Sequence, residues 1–139
     1  MSRSNYSDEC DDNLALGRWR GQVNSAIRGK RGQALLRGIL AAFDTMPVKA
    51  LVADSLITAD GKFCTLGALG AVRGIDMSNI DPEDYYEVAK AFDIAPALAR
   101  EIVWHNDEWD YYGKETPEER FKRMREWVLS KIKAPAQSV

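Results

Sequence analysis

Apolar residues recur at three- and four-residue intervals in six separate stretches of this chain, and glycine, proline or a helix-capping side chain bounds each stretch. A period near 3.6 buries one face of a helix, whereas a half-buried strand would need strict alternation. The first stretch runs from about Asp12 to Gly29, with Leu16, Trp19, Val23, Ala26 and Ile27 on one face. Gly17 and Gly21 lower its helix propensity by about 1 kcal/mol each and are expected to admit close packing. Gly29-Lys30-Arg31-Gly32 reads as a turn into a second helix, whose apolar face carries Leu35, Leu36, Ile39, Leu40 and Phe43 and which ends before Pro47.

Val48 to Cys64 has a different character. Asp60-Gly61 is a strong turn signal between Leu56-Ile57 and Phe63, so a short hairpin or irregular extended arm is expected; Ala50–Leu56 reads equally as a helical turn. From Thr65 the helical period returns, with Leu66, Leu69 and Val72 inward and Gly74 just past the end. Asp81-Pro82-Glu83-Asp84 supplies an N-cap acid, a proline at the first helical position and two further acids at the positive dipole end. Tyr85, Val88, Ala89 and Phe92 follow as a buried stripe. Pro96 restarts a helix carrying Leu98, Ile102 and Val103, and His105 to Gly113 reads as a polar, aromatic loop. Thr116-Pro117-Glu118-Glu119 is a capping box that opens a last helix burying Phe121, Met124, Val128 and Ile132.

The predicted architecture is mainly α: a single compact domain of about six helices with one short extended or hairpin element. It covers residues 13–133, between a flexible acidic N-terminal tail (1–12) and a flexible C-terminus (134–139). At 139 residues the chain is one domain long, and an apolar share of 45% excludes wholesale disorder. No run approaches the roughly 18–20 apolar residues of a membrane span, and the polar, acidic start lacks the apolar core of a secretory signal. Cys10 and Cys64, far apart, make no disulfide framework and point to a reducing compartment.

The net charge of −2 is a cancellation. Residues 13–37 contain no acid and carry Arg18, Arg20, Arg28, Lys30, Arg31 and Arg37, whereas 64–93 sums to −4 and 94–113 to −3. Two helices and their turn with that charge could lie along a phosphate backbone, with Asn24, Ser25 and Gln33 among the cations. The same cations suit an acidic protein partner, or salt bridges to the acidic middle, either within one chain or between subunits of a homo-oligomer. Trp104, Asp107, Glu108, Trp109, Tyr111 and Tyr112 form the other anomaly. Aromatics among acids in a loop are what a protein-partner hot spot looks like, unless the rings fold back onto the core and onto Trp127.

Chemistry is harder to assemble. Cys64 at a helix start, His105, and Asn106 or Asp107 beside it permit a cysteine-hydrolase sketch. Adjacent residues rarely orient one another as triad members, however, and a buried Cys64 packed among Phe63, Leu66 and Leu69 accounts for the same pattern. One histidine and two isolated cysteines cannot make a structural zinc site, and Asp76, Asp81, Glu83 and Asp84 lack calcium-loop spacing, so no metal or cofactor is expected. Gly67 and Gly70 lack the lysine and spacing of a phosphate-binding loop and fit close helix packing better.

Cys64-Thr65-Leu66-Gly67-Ala68-Leu69-Gly70, the downstream Asn106-Asp107 and the Thr116-Pro117-Glu118-Glu119-Arg120 start resemble a group of small phage and prophage accessory proteins. Trp19-Arg20-Gly21 and Ala26 to Gln33 look similar to that group as well, so the resemblance spans nearly the whole chain past Asp12. It implies an accessory protein of a virus or mobile element working in the cytoplasm of a bacterial host, and it transfers no catalytic residue. Three function classes follow. The first is a non-enzymatic protein that binds a host protein and inhibits a defence or host process. The second is a nucleic-acid-binding accessory protein using the basic helix pair 18–37, and the third is a small Cys64-dependent enzyme. None involves a membrane.

Overall fold

A computed structural model describes residues 3–4, 13–108 and 113–133. Six α-helices lie among them: α1 (Asn13–Arg28), α2 (Lys30–Thr45), α3 (Thr65–Arg73), α4 (Tyr85–Phe92), α5 (Pro96–Asp107) and α6 (Pro117–Lys131), with a short 3-10 turn at Met77–Asn79. The described residues include no regular strand; the extended element is one antiparallel bridge, Ile57 to Phe63, around the Asp60-Gly61 turn. The alternative of a helical turn over 50–56 is not adopted. The described residues thus form the expected single, mainly helical domain.

Central to the packing is α5, which contacts α1, α3, α4 and α6, while α2 contacts α1, α3 and α6. Surrounded in this way, α5 buries every residue from Ala97 to Val103, including the charged Arg100 and Glu101. Leu35, Leu36, Ile39 and Phe43 of α2, Leu66 and Leu69 of α3, Val88 and Phe92 of α4, and Phe121, Met124 and Val128 of α6 complete one core with Leu98 and Ile102.

Capping chemistry sets most of the boundaries. Thr116 and Glu119 form the full reciprocal capping box, and Gly74 closes α3 in the left-handed region at φ 71°. The start of α4 lies one turn later than its sequence signals. Asp81 to Asp84 forms a turn (Asp84 N–H to Asp81 C=O, 3.1 Å), and Asp84, not Asp81, is the N-cap, accepting from Tyr86 and Glu87 N–H. Between α1 and α2 the four-residue turn contracts to Gly29, with Lys30 already helical. A Cβ at Gly32 would lie 1.9 Å from the Ala26 carbonyl oxygen, so only glycine lets α2 start this close to α1.

Three expectations are corrected. Gly17 and Gly21 do not admit close packing, since a Cβ at either meets nothing within 4 Å. Val72 is exposed, because it lies in the last turn of α3 and off the buried side that Leu66 and Leu69 share. His105, Asn106 and Asp107 belong to α5 and not to a loop: distant residues satisfy the Asn106 and Asp107 side chains, and His105 meets Glu101 one turn back, so the helix runs on through a polar stretch.

Candidate functional site

The residues singled out in the sequence fall into two regions, one internal and one on the surface. The internal region is the C-terminal end of α5. Asn106, 1% exposed, accepts at Oδ1 from Thr65 N–H (3.1 Å) and Thr65 Oγ1 (2.8 Å). Its Nδ2 donates to the Val52 carbonyl (2.9 Å) and to Asp107 Oδ1 (2.7 Å). All four hydrogen-bonding sites of that amide are therefore engaged, and it ties α5 to the start of α3 and to Val52.

Asp107 in turn accepts from Asp54 N–H (3.2 Å) and pairs through both oxygens with the buried Arg3. Ser4 Oγ donates to Glu108. Arg3 and Ser4 are both buried, so the N-terminal segment is anchored at these two residues; the rest of 1–12, and 134–139, lie outside the described residues. Burial opposes the Arg3 charge, but the neighbouring Cys64 and Asp107 outweigh it and raise its pKa above the ordinary arginine value.

Cys64 is 1% exposed and is the N-cap of α3, its Sγ accepting from Gly67 N–H at 3.4 Å. A Cβ on Gly67 would fall 1.8 Å from the Leu56 carbonyl oxygen, and one on Gly70 would fall 2.6 Å from Met77 Sδ. The Cys-x-x-Gly spacing and the Asn-Asp pair are thereby explained together: they lock the 52–56 segment between α3 and α5.

His105 turns elsewhere. Its Nε2 lies 3.2 Å from Glu101 Oε2, one helical turn back, and its ring packs between Trp104 (4.9 Å) and Trp127 (4.8 Å). Arg20 Nη1 donates to the same Glu101 oxygen at 2.6 Å. Burial works against the Glu101 carboxylate, yet the hydrogen bonds from His105 and Arg20, and their charges, hold its pKa below the ordinary value. The Cys–His–Asp sketch therefore separates into its parts, with Cys64 capping α3, Asp107 binding Arg3 and His105 meeting Glu101.

Trp104, Asp107 and Glu108, expected at a partner surface, all make these internal contacts. Trp109, Tyr111 and Tyr112 lie outside the described residues. Among the described residues no group of three or more His, Cys, Asp or Glu side chains is placed to hold a metal ion.

The surface region is a groove of about 970 Å³ between the second half of α1, the start of α2, Tyr86 of α4 and the first turn of α5. Arg18, Lys30 and Arg31 line it, with Gln22 and Ser25 on the α1 wall, and none of the lining residues is acidic. Lys30 and Arg31 continue into a smaller neighbouring cavity that Arg73 also lines. The N-cap of α5 is Ala95, which supplies no side-chain cap, so the positive end of that helix adds to the potential of the groove.

The other three cations of the basic segment go elsewhere. Arg20 is held by Glu101, Arg37 donates to the Lys133 carbonyl (3.3 Å), and Arg28 is exposed outside the lining. Arg31 also meets Asp93 at 3.2 Å, but both side chains are well exposed, so water competes with that pair.

Sequence reasoning missed Tyr86. It follows the buried Tyr85, and a helix turns by about 100° per residue, so both rings cannot face the core. Comparison with protein-family models, with curated proteins and with solved structures returned no match.

Proposed function

We propose that this chain is a non-enzymatic accessory protein, of the phage or prophage kind its motifs resemble, that binds a host macromolecule and so inhibits a bacterial defence or other host process. The observation that carries the reading is the convergence of Arg18, Lys30 and Arg31 on one groove with no acid in its lining. Cations held in a concave surface raise the local potential and select a negatively charged partner. Support for a binding rather than a catalytic role comes from Cys64, His105 and Asp107, whose side chains are engaged in capping, ion pairing and packing. No described helix is long and apolar enough to cross a membrane, which fits a partner met away from the bilayer.

The test is affinity capture from a bacterial host lysate with the wild-type chain and with Arg18→Glu/Lys30→Glu/Arg31→Glu, nuclease added or omitted. The reading expects specific material on the wild type that the variant loses while keeping its melting temperature. The same material recovered by both proteins would place the interface elsewhere and refute the reading.

A further inference from the structure

We infer that the groove holds a short stretch of single-stranded nucleic acid, with its phosphates on Arg18, Lys30 and Arg31 and one base stacked on Tyr86; this rests on the binding role proposed above and names the partner's chemistry.

The stacking platform is the independent observation. Tyr86 is 64% exposed at the edge of the groove. It is nevertheless fixed, because its ring stacks on that of Tyr85 with centroids 4.7 Å apart and planes 28° apart. Tyr85 is pinned in turn: the Arg100 guanidinium lies 3.9 Å from its ring centroid and 4.2 Å from that of Trp19. Trp19 meets Tyr85 edge-on (planes 84° apart), so Trp19, Arg100, Tyr85 and Tyr86 form a continuous chain of ring and guanidinium contacts that begins in the core and ends at the groove with an open aromatic surface. A large aromatic left in water beside three cations is the combination that single-strand binding uses. Stacking accepts any base, and the cations follow the backbone.

Two further features fit a flexible anionic strand. Gln22 and Ser25, on the wall between the cations, can donate to and accept from base edges. Gly21, on the same wall, has neither a packing partner for a Cβ nor a positive φ to explain it, and it leaves that part of the lining without a side chain. A duplex is disfavoured, because its bases are stacked on one another and unavailable to Tyr86.

The experiment is fluorescence anisotropy with labelled oligothymidylate and oligouridylate of about ten nucleotides, run beside an oligoglutamate peptide. Three phosphate contacts give a slope of log K against log salt near −2, so affinity is expected to fall roughly 20-fold between about 50 and about 200 mM salt. Tyr86→Ala should weaken oligonucleotide binding by about 5- to 100-fold and leave the slope unchanged, while Tyr86→Trp retains binding. Arg18→Gln/Lys30→Gln/Arg31→Gln should flatten the slope, and thermal melts establish that each variant folds. The inference is overturned if neither oligonucleotide binds at low salt, or if both bind equally well to the Tyr86→Ala and triple variants. Peptide binding that the triple variant abolishes, without oligonucleotide binding, would overturn this inference and leave the broader binding role standing.

Discussion

Gly67→Ala puts the account of the Cys-x-x-Gly segment at risk. The added Cβ would sit 1.8 Å from the Leu56 carbonyl oxygen, well inside contact distance, and the obstacle is backbone, not a flexible side chain. That oxygen also accepts from Cys64 N–H at 3.2 Å, so pushing it away sacrifices a hydrogen bond next to the buried N-cap. Overpacking of this kind costs about 1–3 kcal/mol, and a buried donor left without its partner costs about 1–3 kcal/mol more. Alanine returns about 1 kcal/mol through helix propensity, which leaves a net loss of roughly 1–5 kcal/mol.

For 139 residues the unfolding entropy is about 0.3 kcal/mol/K, so each kcal/mol moves Tm by roughly 3 °C. Calorimetry should therefore show Gly67→Ala melting roughly 3–17 °C below wild type. Gly21→Ala is the matched control, with the same chemistry in open space, and should gain up to about 3 °C. If both variants melt within about 2 °C of wild type, the close approach of Leu56 to α3 is wrong.

Asn106→Ala leaves Thr65 N–H and Oγ1 and the Val52 carbonyl without their partner, so chemical denaturation should register a loss of about 3–5 kcal/mol, larger than for a typical surface change. Because folding lowers the Glu101 pKa, its contribution is full above the ordinary glutamate value of about 4.3 and disappears as pH falls through the lower folded value. Glu101→Gln should accordingly lose stability at neutral pH and show a shallower acid limb than wild type; parallel pH–stability curves would contradict the Arg20–Glu101–His105 arrangement. Cys64, buried at the N-cap of α3, should react with an alkylating reagent only as fast as the protein opens, so mass spectrometry should find protection that denaturant removes.

Much of the fold was legible in the sequence because its signals are local. The Thr116 capping box, the proline at the start of α5, Gly74 and the apolar stripes of α2 and α4 each act within a turn or two of chain. Local chemistry also explains the misplaced start of α4, since Asp81 and Asp84 are equally good caps and the turn between them decides the outcome. The end of α5 was not legible: Asn106 and Asp107 read as loop residues until Thr65, Val52 and Arg3 arrive from 41, 54 and 104 positions away.

The same limit applies to the site. All six cations of 18–37 were visible in the sequence, but which ones converge depends on the tight Ala26–Gly32 junction and on the pull of Glu101 and Lys133 on Arg20 and Arg37. Tyr86 had a signal, the paired tyrosines at an amphipathic helix start, that was open to reading from the period alone.

A nuclear magnetic resonance titration of isotope-labelled protein with short oligothymidylate at low salt addresses the central claim most directly, because it maps the contact residue by residue. The expected result is a set of concentration-dependent shifts at the amides of Gly21, Ser25, Gly29, Lys30, Arg31 and Tyr86, with the exposed face of α6 unmoved. Shifts confined to α6, or none at all, would contradict the account.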